Sequence, residues 1–520
     1  MNREHSQQSL PSTDTDREYL KTDHLESDLG ARTARGGAVT IVSHSLRFVL
    51  TIAATSVMAR LLSPTDYGLI GMVAFFTNFV AMFKDLGLSL ATIQKSEINN
   101  DQVSTLFWLN ILFSLAITII TIALSPLIAW FYGDPRLIAI TAVTSFGFVI
   151  GGLAVQHEAL LRRQMKFFAL VVTFLVATVI GYLVGIYMAW QGYSYWALVG
   201  SQLALLASNT VGLWIVCRWR PGFPRRNSDV RSMVVFGRNF TGFSIINYFS
   251  RNLDNVLLGR FWGANELGLY NRAYQLMTLP IDQINEPITS VAIPALSRIN
   301  HTAERYRQAY LRMLEKIAML TMPAVAFMIA TSDWIIEIVL GPQWSATSRI
   351  FLLLGITGMF QPIANTSGWL FLTQGRSKDL FHWGLISGPI TMASICLGLP
   401  WGALGVAASY ALTRVLLTDP LLFWFVGRKG PVRTIDFYRT IAPFTLASLA
   451  ALGVSVAFRS LTEIHNPLVG LITLFFITGS VTILGLGALP AGRLALTDVK
   501  NTIALMFKPR THVTALAQTD

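Results

Sequence analysis

Long apolar runs parted by short polar turns recur along this 520-residue chain, and no other feature limits its fold so strongly. A helix needs roughly 20 apolar residues to cross the hydrocarbon core of a bilayer, where each backbone polar group must find its partner within the segment. Fourteen stretches meet that need, at about 38–60, 68–93, 103–131, 137–160, 167–190, 194–217, 238–259, 268–296, 313–340, 349–373, 380–399, 402–426, 440–458 and 467–489. The expected fold class is therefore an all-α polytopic membrane protein with about 14 transmembrane helices. Hydrophobic residues make up 53% of the chain and charged residues 13%, far from the usual shares in a soluble domain.

Basic residues orient the spans. With the N-terminus inside, the cytoplasmic turns hold Lys95, the group Arg162, Arg163 and Lys166, and the run from Arg218 to Arg238. Further basic turns follow at 298–316, 376–378 and 428–439, whereas the outer loops hold only Arg60, Arg136, Arg260, Arg349 and Arg459. An even number of spans with both termini cytoplasmic satisfies the positive-inside rule, and a shift by one helix destroys the agreement. The net charge of +12 thus reads as membrane orientation, not nucleic-acid binding. Residues 1–36 are polar with no apolar core and read as a disordered cytoplasmic tail rather than a signal peptide. Residues 301–316 set basic side chains beside Tyr306, Tyr310 and Leu314, as an interfacial extension of the ninth span does.

The chain also repeats. Arg60, Asp66, Gly68 and Leu69 recur two hundred positions later as Arg260, Glu266, Gly268 and Leu269. Ser125 to Asp134 matches Asp333 to Pro342, and the basic turn Leu160 to Lys166 matches Leu372 to Lys378. Six spans followed by six in the same orientation make parallel repeats, the plan of transporters whose halves rock about a site between them. The domains read as an N-lobe at 37–220, a cytoplasmic linker at 221–237 and a C-lobe at 238–430. Two accessory helices at 431–492 and a cytoplasmic tail at 493–520 complete the chain.

Ionisable residues inside spans are expensive and face a partner or a watery cavity. Arg47, Lys84, Asp85, Arg251, Asp254, Arg272, Asp282, Glu286, Arg414 and Asp419 all lie within apolar segments. Arg47 has no acid within a helical turn, which favours a water-filled cavity that receives an anion. For Arg251 and Asp254 a same-face pair and a functional role both stand. Asp85 reads either as an ion-coupling acid or as a frayed helix end, and Arg272 either as a ligand or as a side chain that snorkels. The pairs Arg60/Asp66 and Arg260/Glu266 read equally as an outer gate or as plain helix-terminus pairs. Glu286 and Asp254 are further candidates for a gate or a coupled proton. Pro280, Pro287 and Pro294, seven apart, bend their helix for motion or for static curvature.

No lysine follows a glycine, so a Walker A phosphate loop is missing, and neither a zinc His-Glu-x-x-His motif nor a Gly-x-Ser-x-Gly elbow occurs. The two cysteines, Cys217 and Cys396, have no metal-ligand spacing. We expect no catalytic residues, no metal and no cofactor: a transporter rather than an enzyme.

Arg60-Leu-Leu-Ser-Pro-Thr-Asp66-Tyr-Gly-Leu, Asp85-Leu-Gly-Leu, Phe107-Trp-Leu-Asn110, Asn252-Leu-Asp-Asn255, Leu267-Gly-Leu-Tyr270-Asn-Arg272-Ala-Tyr274 and Pro294-Ala-Leu-Ser-Arg298 together resemble the Wzx-type polysaccharide flippases of the MOP superfamily. The likeness covers about residues 36–430 and is closest to the exopolysaccharide and colanic-acid exporters, the WzxC-like branch. It implies the MOP flippase fold, two pseudo-symmetric six-helix lobes around a cavity plus two accessory helices. It also implies a substrate, undecaprenyl-diphosphate-linked oligosaccharide, moved to the outer leaflet of the bacterial cytoplasmic (inner) membrane. Membrane lipids, a polysaccharide polymerase and export machinery are the implied partners. On that basis Arg47, Lys84, Arg251 and Arg272 are candidate head-group ligands, with Asn252 and Asn255 as sugar contacts. Two other readings compete: an ion-coupled small-solute or multidrug antiporter of the same superfamily, and a membrane polysaccharide polymerase. The polymerase reading calls for a large outer loop, and none here exceeds about 15 residues.

Overall fold

Helix follows the apolar runs wherever the computed structural model describes the chain, at residues 29–82, 88–95, 98–223, 231–490 and 492–497. For 29–43, 90, 91, 94, 231–247 and 249–251 the backbone alone is described. Most of both expected tails, residues 224–230 of the linker, and both Lys84 and Asp85 lie outside the described residues. No strand occurs among those described.

The helices are α1 (Leu29–Leu61), α2 (Pro64–Ala81), α3 (Leu88–Gln94), α4 (Asn100–Tyr132), α5 (Arg136–Gly152), α6 (Val155–Arg163), α7 (Phe167–Trp190), α8 (Trp196–Val216) and α9 (Arg231–Arg298). They continue with α10 (Ala303–Ala330), α11 (Ser332–Val339), α12 (Ser345–Thr373), α13 (Ser377–Gly398), α14 (Gly402–Thr413), α15 (Asp419–Gly427), α16 (Thr434–Leu461) and α17 (Pro467–Ala488). Among the described residues nine helical stretches are long and apolar enough to cross a membrane, or ten if the pair α1–α2, bent by 119°, counts as one. The protein is a multi-pass, all-helical membrane protein. Helix α1 begins at Leu29, ahead of the expected start near residue 38, and α9 begins at Arg231, inside the expected linker.

The chain divides into two compact units. One comprises Met1–Gln275, Val339–Ile350 and Gly388–Ser409. Within it α7 packs along α8, α4 along α5, and α1 along α7. Gly181 and Gly185 let α7 approach the Ser201 and Leu205 turns of α8, the small-residue packing that lipid-embedded helices rely on. At one end of this unit Leu88, Leu106, Phe107, Leu161 and Trp219 form an apolar core. A buried chain of hydrogen bonds crosses it: the Thr92 hydroxyl donates to Gln156 (2.8 Å), whose amide donates to Asn110 (2.8 Å). Each such bond contributes about 1 kcal/mol, and losing one partner strands the next. At the opposite end, between α4 and α5, Arg136 donates to Asp134 at 2.7 Å, and these bonds hold the Asp134 carboxyl below its ordinary range.

The other unit comprises Leu276–Ile338, Phe351–Ser387 and Tyr410–Asp520. Here α16 packs on α10 and α17. Arg307 clasps Asp436 with bonds of 2.9 and 2.6 Å at one end of α16, and Arg459 clasps Asp333 at the other (2.7 Å). The start of α10 is not interfacial: Tyr306, Tyr310 and Leu314 are buried against protein, with Tyr310 bonded to Thr366 and edge-on to Phe437. Its apolar face is covered by α12 and α16, which accounts for the pattern without a membrane surface. Between α14 and α15, residues Arg414–Thr418 form a π-turn. That turn brings residues five apart onto one face, and Arg414 pairs with Asp419 across it (3.1 Å) while donating to Tyr410 (3.0 Å).

The three prolines of α9 leave its helical backbone intact; its non-helical residue is Gly263, at φ 80°.

Candidate functional site: the duplicated motif and its arginine

The first copy of the motif is a helix start. Ser63 is extended and caps α2, with Pro64 at the first helical position, where its missing N–H is harmless. Asp66 closes a capping box by accepting from the Ser63 N–H (2.8 Å) and hydroxyl (2.7 Å). Its other oxygen takes the Ser194 hydroxyl from the α7–α8 turn. In the second copy Gly263 stands where Ser63 does, its positive φ making the bend that capping makes in the first. Glu266 accepts the Ala403 N–H (3.2 Å) beside the α13–α14 turn. Each acid thus ties its own helix start to a later helical hairpin. Arg60 lies against Gly341, and Arg260 stands 5.8 Å over the Phe131 ring. Gly133 and Gly341, both of positive φ, fill matching places in the second repeated pair. In the third, the left-handed residues are Met165 and Gly375, two residues off the alignment by residue type.

The two copies also touch each other. A Cβ on Gly68 would lie 1.7 Å from the Ala264 carbonyl oxygen, and one on Gly268 would lie 1.9 Å from the Pro64 carbonyl oxygen. The contact is reciprocal, as a pseudo-twofold axis demands. Only glycine lets the two backbones come this close.

Arg272 stands one turn beyond this contact. Its guanidinium lies 3.8 Å over the Tyr67 ring, and it donates to Gln275 at 2.6 Å. Its Nε is covered and meets no acceptor, and no carboxylate lies within ion-pair distance among the described residues. A cation held on an aromatic face with an unfilled donor can receive an anion.

The neighbouring candidates are placed differently. Asp254 accepts from the Tyr270 hydroxyl (2.9 Å) and from the Asn255 N–H (2.8 Å). Asn252 donates to Tyr248 on its own helix, while the Asn255 side-chain oxygen is buried without a partner. The Arg251 side chain lies outside the described residues, so its pairing with Asp254 does too. Arg47 is exposed on α1, 5.0 Å over Phe174 of α7. Glu286 and Asp282 are exposed one turn apart on α9. The structure thus unites Arg272 with the repeated motifs and leaves Arg47 apart from them.

Three participants had no role in the sequence reading. Tyr67 is one, although its place between Asp66 and Gly68 was a hint. The others are Gln343 and Trp344, which cap the end of α1: Trp344 donates to the Ala59 carbonyl at 2.8 Å, and Gln343 to that of Leu62 at 3.0 Å.

The chain is similar to known proteins in sequence and in fold. The teichuronic acid biosynthesis protein TuaB of Bacillus subtilis is 29% identical over 440 residues, 83% of this chain and 89% of its own. The lipopolysaccharide biosynthesis protein WzxC of Escherichia coli is 26% identical over 443 residues, 82% of this chain and 88% of its own. A solved structure of the lipid II flippase MurJ, in an inward closed conformation, superposes with a TM-score of 0.69 at 16% identity, covering 87% of this chain and 98% of MurJ. That likeness shows a common fold. A family model described as polysaccharide biosynthesis protein matches residues 57–349, a span that contains both copies of the motif, and the chain belongs to that family.

Proposed function

We infer that the chain is a flippase that carries undecaprenyl-diphosphate-linked oligosaccharide from the inner to the outer leaflet of the bacterial cytoplasmic membrane, for exopolysaccharide or lipopolysaccharide export. The observation that carries this reading is Arg272, a cation without a carboxylate beside the contact of two repeated motifs. A diphosphate suits that cation, because guanidinium binds phosphate oxygens in pairs and more strongly where water is scarce. The relatives' descriptions as polysaccharide biosynthesis proteins support the same substrate class.

In this reading the lobes at 37–220 and 238–430 rock against each other, and the glycine contact is the closed outer gate. Arg47 and Arg251 join Arg272 as head-group ligands. Asp254, with Tyr270 on one oxygen, supplies the group for ion coupling. Fourteen crossings put both termini in the cytoplasm, in keeping with the basic turns. No covalent step is required, so the protein acts as a transporter beside a separate polymerase.

Lipid extraction from a strain lacking the gene tests the reading. Completed lipid-linked oligosaccharide accumulates and surface polymer disappears, and the wild-type gene reverses both. Unchanged lipid intermediates with normal polymer contradict it. An ion-coupled antiporter is the second reading, favoured by the half-buried Asp254 carboxylate; cation efflux with normal polymer would select it.

A further inference from the structure

The second compact unit holds polar groups that the diphosphate reading does not use. Asn285 of α9 is 9% exposed, and both its amide nitrogen and oxygen are covered without a hydrogen-bond partner. Gln361 of α12 has a covered, unpartnered side-chain oxygen. The two lie at one level. A Cβ on Gly358 of α12 would meet Met277 at 2.6 Å and Ile281 at 3.4 Å, and past the end of α9 Asn300 donates to Thr373, the last residue of α12. The two helices therefore run parallel, and one turn beyond Gly358 sets Asn285 beside Gln361.

Two prolines enlarge this polarity. Pro287 and Pro362 lie inside these helices and withdraw hydrogen bonds from the carbonyls of Gln283 and Gly358. Near them in the same helices Asp282, Glu286 and Asn365 are exposed. Exposed polar side chains at this depth of a membrane helix face water rather than lipid. The arrangement is a covered amide floor with an open polar rim. A buried amide without a partner is costly, so a ligand that fills it gains affinity.

We propose that this face of α9 and α12 is a subsite for the saccharide part of the cargo, selective for neutral, polyhydroxylated sugars. Amides donate to and accept from hydroxyls, and carboxylates accept from them. The stretches of α9 and α12 that form it, residues 276–297 and 351–373, hold Asp282 and Glu286 and no base, so the rim discriminates against uronic or otherwise anionic residues. The subsite rests on the flippase reading, and it differs from the asparagines of the first unit in position and partners.

The test uses the full-length protein in nanodiscs and two probes: undecaprenyl diphosphate, and the lipid-linked oligosaccharide that accumulates in the deletion strain. Wild type binds the glycan-bearing lipid about tenfold more tightly than the bare lipid. The doubly substituted Asn285→Leu, Gln361→Leu protein loses that advantage and keeps its affinity for the bare lipid. Arg272→Ala weakens both. Single Asn285→Asp and Gln361→Glu variants, which keep size and polarity, serve if the double variant fails to fold, and either reduces the glycan advantage. Equal affinity of wild type for the two lipids overturns the subsite and leaves the diphosphate reading standing. A protein that binds neither lipid, or a strain that accumulates none, overturns the functional reading and the subsite with it.

Discussion

Gly68 and Gly268 stand two hundred positions apart in the chain and back to back in the fold: a Cβ on Gly268 would lie 3.1 Å from the Gly68 nitrogen. The duplicated motif is therefore a contact with itself. Its glycines make the approach, its acids anchor each helix start to a later hairpin, and its neighbour Arg272 supplies the charge.

Gly68→Ala and Gly268→Ala each push a methyl group into a backbone carbonyl that has nowhere to go. Overpacking of this kind costs about 1–3 kcal/mol, enough to shift a two-state equilibrium about 5- to 150-fold toward an open gate. Surface polymer should fall while the protein stays in the membrane. Met72 is buried beside Gly259, so a cysteine at 72, with Cys217 and Cys396 replaced, should react with external maleimide only in the alanine variants. Equal labelling in the parent would refute the gate.

Arg272→Ala should abolish surface polymer, and Arg272→Lys should restore part of it, since lysine keeps the charge without the paired donors. Tyr67→Phe should behave as wild type and Tyr67→Leu should lose about three- to tenfold in export, because the ring face rather than the hydroxyl carries the guanidinium. Dose-response complementation with polymer quantified by sugar analysis separates these outcomes.

Asp66 and Glu266 are predicted to act as anchors. Asp66→Ala removes a capping box and the Ser194 bond and should lower stability by about 1–2 kcal/mol. Asp66→Asn and Glu266→Gln keep an acceptor oxygen, so thermal stability and export should stay near wild type. Loss of export at unchanged stability in these isosteres would instead assign the acids to ion coupling.

The helical spans were legible because span length obeys the bilayer, a solvent with few permitted answers. The repeat was legible because Arg, acid, Gly and Leu recur in register. The partners of its acids were not: Ser194 and Ala403 lie more than a hundred residues further along, and no periodicity links a carboxylate to a distant turn. The tyrosine-rich start of α10 read as interfacial because burial against α12 and α16 produces the same apolar stripe as burial against lipid. Orphaned amides such as Asn285 are visible only when neighbouring helices are in place.

The central claim, that this chain moves a lipid-linked glycan through a site built on Arg272, is tested most directly in proteoliposomes. Purified wild-type protein and Arg272→Ala are reconstituted with the lipid-linked oligosaccharide from the deletion strain, and outer-leaflet glycan is oxidised by periodate over time. The account predicts that wild type exposes the inner-leaflet pool within minutes, while Arg272→Ala matches protein-free vesicles. Wild-type vesicles no faster than protein-free ones, or an Arg272→Ala variant as fast as wild type, would contradict it.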